Sequence, residues 1–290
     1  MQSGNLKDVI DKYCVYLTEK KQVSKATLSA YKTDMNKFRK FAFEKYHIDL
    51  FSDINVSILT SYMLHMKSLG LKGSSISRSS SVLKNLMLYA YHESYIDENL
   101  AEVKLELPKE AKELPEILTV SEMDLLLSQP EDTVLGIRDR AMLETLYTSG
   151  LKVNELINLK LEDLDLKLKV IKCRSKSKTR VLPLGAIALE AIESYLSKSR
   201  LSLDKSDCEY LFLSYNGHQI SRQGFWKVVK KYGDQAGIKK NITTSTFRHS
   251  FATHMIQNGI EKDALRQTLG NSSVASVQVY LDLNRKRKRS

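Results

Sequence analysis

The chain lacks most of what would make it a secreted, membrane-bound or metal-dependent protein. It has only three cysteines, Cys14, Cys173 and Cys208, widely spaced and odd in number. That pattern argues against a disulfide framework and for a reducing cytoplasm. No apolar run approaches the ~20 residues of a membrane span, and Met1-Gln2-Ser3-Gly4-Asn5-Leu6-Lys7 has no apolar segment of the signal-peptide kind. There is no Gly-rich phosphate loop, internal repeat or low-complexity segment. His249 and His254 are five residues apart, the wrong spacing for two ligands on one helix face, and no cysteine cluster completes a metal site. Neither a metal nor another cofactor is expected.

What is present is a globular composition with a cationic excess. Of the 290 residues 42% are hydrophobic and 27% charged, enough for two ordinary domains with separate cores. Net charge is +11 and the isoelectric point is near 9.3. Such a balance favours a polyanionic partner, because each cation that meets a phosphate releases condensed counterions. Nucleic acid is favoured over an acidic membrane surface. Residues 1–107 carry a net +3 and residues 108–290 a net +8, of which +5 lies in Arg285-Lys286-Arg287-Lys288-Arg289. That tail reads equally as a basic arm or as a solvated end.

The first hundred residues read as helical. Ser24 is placed to cap a helix whose apolar positions Leu28, Tyr31, Met35, Phe38 and Phe41 or Ala42 recur at three- and four-residue steps. Residues 58–69 form a shorter periodic stretch ending in Leu69-Gly70, and residues 74–95 another helix with Ile76, Val82, Leu83, Leu86 and Ala90 inward. Lys25, Lys32, Lys72, Ser74, Ser75 and Arg78 are candidates for phosphate contact, since free backbone N–H groups point outward at helix starts. Any one of them fits a solvated helix face as well. Periodicity lapses around two prolines and alternating charges, which predicts a helical domain over 1–104, a linker over 105–116 and a second domain over 117–290. That second domain opens with a capping box at Thr119 and Glu122. A buried helix is expected over 137–147, a short amphipathic one over 151–159, and β-type runs over 166–173 and 179–184. Between those runs lies the polar tip Arg174-Ser175-Lys176-Ser177-Lys178; beyond Pro183 the chain is again mostly helical, with Trp226 and Tyr147 read as core. The expected fold is mainly α with a small antiparallel sheet.

The order of motifs resembles the tyrosine recombinase family, specifically Xer-like site-specific recombinases and phage-type integrases. The resemblance rests on Leu146-Tyr147-Thr148-Ser149-Gly150-Leu151-Lys152-Val153-Asn154-Glu155-Leu156, on the hairpin from Ile171 to Leu184, on Thr246-Phe247-Arg248-His249-Ser250-Phe251-Ala252-Thr253-His254, and on Leu269-Gly270-Asn271 nine residues before Tyr280. It covers nearly the whole chain. It implies a helical core-binding domain followed by an α+β catalytic domain, acting on double-stranded DNA without a cofactor. It further implies a homo-tetramer on paired sites, or a hetero-assembly with a paralogous recombinase. In roles, it implies that Tyr280 is the nucleophile that forms a 3′-phosphotyrosyl intermediate, Arg248 the second catalytic arginine and Lys176 the general acid. Lys178 is a lesser candidate for that acid. Arg174, Lys178, Arg180 and Arg222 are read as DNA-facing cations of this domain.

Such chemistry needs an in-line nucleophile, cations on the pentacoordinate transition state and an acid for the leaving 5′-oxygen. Three positions depart from the family pattern. Lys152 stands where the family has its first catalytic arginine, keeping the charge but losing the bidentate fork. Ser245 replaces a histidine three residues before Arg248, and Asn271 replaces a histidine or tryptophan. Neither can carry a proton's charge near neutral pH. Loss of one transition-state donor costs about 10²–10³ in rate. Two readings are therefore carried forward: a recombinase with a weakened site, or a recombinase-like DNA-binding protein with an architectural or accessory role. A relaxing enzyme of the tyrosine topoisomerase kind is a remote third.

Overall fold

The structure is a computed structural model that describes residues 4–102, 115–174, 179–270 and 275–287. It divides into two compact units, residues 1–112 and 113–290. Most of the expected linker lies outside the described residues, as do Ser175, Lys176, Ser177, Lys178 and Asn271.

The first unit consists of α1 (Leu6–Glu19), α2 (Lys25–Tyr46), α3 (Val56–Ser68) and α4 (Gly73–His92). Side-chain caps start three of them: Asn5, Ser24 and Asn55 accept from the N–H groups of Asp8, Thr27 and Ile58. Helix α2 ends at His47 in the left-handed region. Its core joins Leu6, Val9 and Ile10 of α1 to Met35 and Phe38 of α2, Leu59 of α3, and Leu83, Leu86 and Met87 of α4. The inward positions expected for α2 and α4 are all buried or half-buried. Asp34, only 3% exposed, is held by Arg78 of α4 at 2.8 and 3.0 Å.

The second unit opens with α5 (Val120–Leu127), started by the expected capping box of Thr119 and Glu122. Then follow α6 (Val134–Ser149) and α7 (Val153–Ile157). An antiparallel sheet of order β1-β2-β3 comes next: β1 (Leu164–Asp165), β2 (Val170–Arg174) and β3 (Thr179–Pro183). The first β run differs from expectation. Residues 166–169 form a turn, closed by Leu168 N–H donating to Asp165 Oδ1 at 2.9 Å, with Lys169 at φ +55. The alternation of Leu166 and Leu168 therefore belongs to an exposed turn and not to a strand. Helix α8 (Ala186–Ser194) continues through a π-helical segment, Tyr195–Arg200, into α9 (Leu201–Leu203). Residues 204–221 run through turns and the isolated bridges of Lys160 with Tyr210 and Leu213 with Gln219, and four helices follow: α10 (Arg222–Gln235), α11 (Thr244–Gln257), α12 (Lys262–Leu269) and α13 (Ala275–Arg287). The basic run at the C-terminus thus begins as helix, to Arg287.

The main core of this unit gathers Met142, Leu143 and Leu146 of α6 with Ile192, Tyr195, Phe212, Phe225, Val229 and Phe247. Phe251, Ala252, Leu265, Leu269, Val277, Tyr280 and Leu283 form a separate, smaller cluster that joins α11, α12 and α13. Trp226 is not core: it is 45% exposed on α10, with Lys230 Nζ 5.9 Å from its ring centre. Tyr147 is half-buried against both clusters, its hydroxyl 2.8 Å from His254 Nδ1. Among the described residues no helix is long and apolar enough to cross a membrane.

Candidate active site

Two glycine turns and a buried arginine define the site. Helix α6 ends at Gly150, whose φ of +60 is the left-handed conformation that glycine enters without strain. Helix α12 ends in the same way at Gly270, φ +62. Arg248, 8% exposed on α11, spans the two turns. Its Nη1 donates to Gly150 O at 2.7 Å and its Nη2 to Leu269 O at 2.5 Å. One guanidinium thereby fixes α11 to the ends of α6 and α12, using the fixed fork that lysine lacks.

Past Gly150 the chain turns into α7. The Lys152 backbone N–H donates to Glu155 Oε2 at 2.8 Å, which orients that carboxylate. The Lys152 side chain itself is exposed. Glu155 also accepts from Arg180 of β3, at 3.0 Å from Nη1 and 2.7 Å from Nη2. Burial would raise the Glu155 carboxyl, but the hydrogen bonds from Arg180 and from Lys152 N–H outweigh it and hold the group below its ordinary value. Burial likewise opposes the charge of Arg180, and the Glu155 partner overcomes it, raising Arg180. Arg248 is lowered by burial, with Glu155 acting in the opposite sense. As a guanidinium it stays charged.

Tyr280 lies on α13, 5% exposed, anchored through Val277 and Leu283 in the small apolar cluster. Its hydroxyl is 2.9 Å from His249 Nδ1, and the two rings are 5.6 Å apart. Burial pushes the Tyr280 phenol above its ordinary value, while the positive charge of Arg248 pulls the other way. Burial and then Arg248 lower His249, which favours the neutral imidazole.

The expected residues fall into three groups. Arg248, Tyr280 and the turn bearing Lys152 converge. Ser245 is exposed on the first turn of α11, one helical turn before His249 on the same face. Lys176 and Asn271, together with Lys178, lie outside the described residues.

Among the expected DNA-facing residues, Lys25, Lys72, Ser74 and Arg222 are exposed at the starts of α2, α4 and α10, and Ser75 is half-buried. Lys32 is paired with Asp11 at 3.1 Å, both about half exposed. Arg174 is paired with Glu162 at 3.1 Å and with buried Asp163 at 2.7 Å. Arg78 is committed to Asp34. Arg180 differs most from a surface cation: its side chain is 15% exposed and Glu155 occupies both terminal nitrogens.

Two residues of the site were not singled out from sequence. Glu155 stands three positions after Lys152, the spacing at which a helix's first-turn carboxylate reaches back to the N-cap N–H. Spacing in the sequence bears on His249 only by excluding it as a metal ligand with His254, although it directly follows Arg248. Among the described residues no group of three or more His, Cys, Asp or Glu could hold a metal ion.

Two family models match the chain: the phage integrase family over residues 116–287 and the phage integrase N-terminal SAM-like domain over residues 10–94. Tyrosine recombinase XerD of Staphylococcus aureus is 34% identical over 283 residues, covering 97% of this chain and 95% of that one. Tyrosine recombinase XerD of Halalkalibacterium halodurans is 33% identical over 270 residues, 92% of this chain and 90% of that one. Among solved structures, XerH site-specific recombinase bound to a palindromic difH substrate in a post-cleavage complex superposes with a TM-score of 0.79. At 19% identity it covers 96% of this chain and 81% of that one.

Proposed function

The chain belongs to the phage integrase family, as a Xer-like tyrosine recombinase acting in site-specific DNA recombination, and from that premise we propose how its own residues carry the reaction. Tyr280 Oη attacks the scissile phosphorus, forming a 3′-phosphotyrosyl bond and releasing a 5′-hydroxyl. Attack by a 5′-hydroxyl on that bond rejoins the strand. Arg248 stabilises the charge that develops on the phosphate oxygens, and Lys152 adds a second, more mobile cation. Lys176 protonates the leaving 5′-oxygen, and Asn271 and Ser245 offer neutral hydrogen bonds where a charge-bearing side chain would do more. Lys25, Lys72, Ser74, Ser75 and Arg222 contact the DNA backbone; Lys32, Arg78 and Arg174 reach it only by exchanging their carboxylate partners. The working assembly is four copies on paired DNA sites, or a mixed assembly with a paralogous recombinase, in the cytoplasm.

One observation carries this reading. Arg248 and Tyr280, on different helices, are gathered at the two glycine turns into one buried site with His249, Glu155 and Arg180. The rival reading, a DNA-binding protein that has lost cleavage, draws support from Lys152, Ser245 and Asn271. A duplex that the protein selects from a random library, nicked opposite the scissile position, separates the two. A denaturation-resistant protein–DNA adduct that disappears in Tyr280→Phe is the expected result. Tight binding without adduct would leave the architectural role.

A further inference from the structure

Transesterification by a phenol requires that the hydroxyl proton go somewhere as the oxygen bonds to phosphorus. A buried tyrosine cannot hand it to bulk water, and Ser245 cannot hold a proton's charge. The structure offers a different acceptor. His249 Nδ1 is 2.9 Å from Tyr280 Oη, inside the reach of direct proton transfer. The rings are tilted at 43°, with centres 5.6 Å apart. His249 lies mid-helix in α11, where its backbone carbonyl accepts from Thr253 Oγ1 at 2.9 Å. It also stands four residues after Ser245, on the same helix face and one turn nearer the nucleophile.

We infer that His249 is a catalytic residue of this chain, the proton acceptor for Tyr280, and this rests on Tyr280 being the nucleophile. The imidazole is protonated at Nε2 in the resting enzyme, leaving the Nδ1 lone pair to accept the Tyr280 O–H. As the Oη–P bond forms, the proton moves to Nδ1. As the P–O5′ bond breaks, the 5′-oxygen takes a separate proton from the cationic acid assigned to Lys176. On rejoining, the 5′-hydroxyl attacks and gives its proton back to the neutral amine of Lys176, the tyrosyl oxygen leaves, and the imidazolium returns its proton to Oη. The charged group that bears on His249 is Arg248 of its own helix, and α13 faces it with Tyr280. The cationic neighbour favours the neutral, accepting form. At position 249, then, the chain has a proton acceptor that Ser245 does not supply.

The test compares wild type, His249→Gln and Tyr280→Phe as full-length proteins on the nicked duplex, across pH 5.5–9. Glutamine keeps a hydrogen bond to Oη but cannot take the proton. The expected result is unchanged DNA affinity and an adduct rate lowered about 10²–10⁴-fold at neutral pH. That deficit should narrow as pH rises and the phenol ionises unaided. A 5′-bridging phosphorothiolate, whose leaving group needs no proton, should not rescue His249→Gln. An unaltered rate and pH profile, or full rescue by the phosphorothiolate, overturns the assignment while leaving Tyr280 as nucleophile. No adduct from wild type on DNA that it binds overturns both. If His249→Gln does not fold, the wild-type profile decides. Its acid limb must coincide with the His249 titration followed by ¹⁵N NMR, and a limb that does not coincide overturns the inference.

Discussion

Arg180 closes on Glu155 through both terminal nitrogens, at 3.0 and 2.7 Å, and places a compensated ion pair within electrostatic reach of Arg248. A second bare guanidinium there would weaken Arg248 by repulsion. Paired with Glu155, Arg180 becomes scaffold, and the carboxylate supports both arginines.

Glu155→Gln should therefore destabilise the second unit by about 3 kcal/mol, because it strands a largely buried guanidinium. Urea denaturation of the two proteins measures it. The pH dependence has a definite sign. The Glu155 carboxyl is held below its ordinary value, so its contribution is complete above the unfolded-state pKa and is lost as pH falls through the folded one. Wild type should thus lose stability more steeply on acidification than Glu155→Gln, and parallel curves would sink the argument.

Lys152→Arg should raise the rate of adduct formation on the order of 10- to 100-fold, by restoring a bidentate phosphate donor. The fold should be undisturbed, since the scaffold uses the Lys152 backbone, its N–H to Glu155 and its carbonyl from the N–H groups of Glu155 and Leu156, and the side chain is exposed. Single-turnover kinetics on the nicked duplex give the answer. No gain would place the limiting step at Ser245, at Asn271 or in assembly.

Gly150→Ala should be severe. A Cβ there would lie 2.4 Å from Phe251 Cδ1 on a backbone at φ +60, which costs about 2–4 kcal/mol from strain and overpacking together. Because Gly150 O anchors Arg248, adduct formation should fall further than the loss of folded protein explains. Thermal melts and adduct yields on the same preparation separate the two effects.

The cations of the first unit should divide by their partners. Lys25→Ala and Lys72→Ala should each reduce the slope of log affinity against log salt by about one, uniformly across DNA sequences. Arg78→Ala should leave that slope nearly unchanged and lower the urea midpoint, since it deprives buried Asp34 of two hydrogen bonds. Filter binding at several salt concentrations distinguishes the classes.

Local features were legible in the sequence where one physical signal governed them. Helices α2 and α4 follow from apolar periodicity, and the start of α5 from the Thr119–Glu122 spacing. The sheet was legible only in part, because Asp165 closes a turn within what looks like continuous alternation. Trp226 is exposed for a similar reason: composition marks it as apolar, while the α10 face on which it falls is set by Phe225, Val228 and Val229 packing inward.

The site divides in the same way. Arg248 and Tyr280 could be named from motif order. Two contacts could not: Arg180 meets Glu155 across 25 residues, and His249 meets Tyr280 across 31. Each depends on how separate elements pack, information that no spacing contains. By its charge alone Arg180 reads as a DNA-facing cation, whereas its side chain is enclosed and paired with Glu155.

Among the described residues the small cluster that seats Tyr280 shares no fully buried residue with the main core of the second unit, and half-buried Tyr147 touches both. Detaching α13 would remove Val277, Tyr280 and Leu283 from their neighbours and leave the packing of α6, α8 and α10 intact. A preparation can thus keep its main core packed while its nucleophile is out of place. For this chain, titration of reactive tyrosine, and not a melting curve, is the proper assay of sample quality.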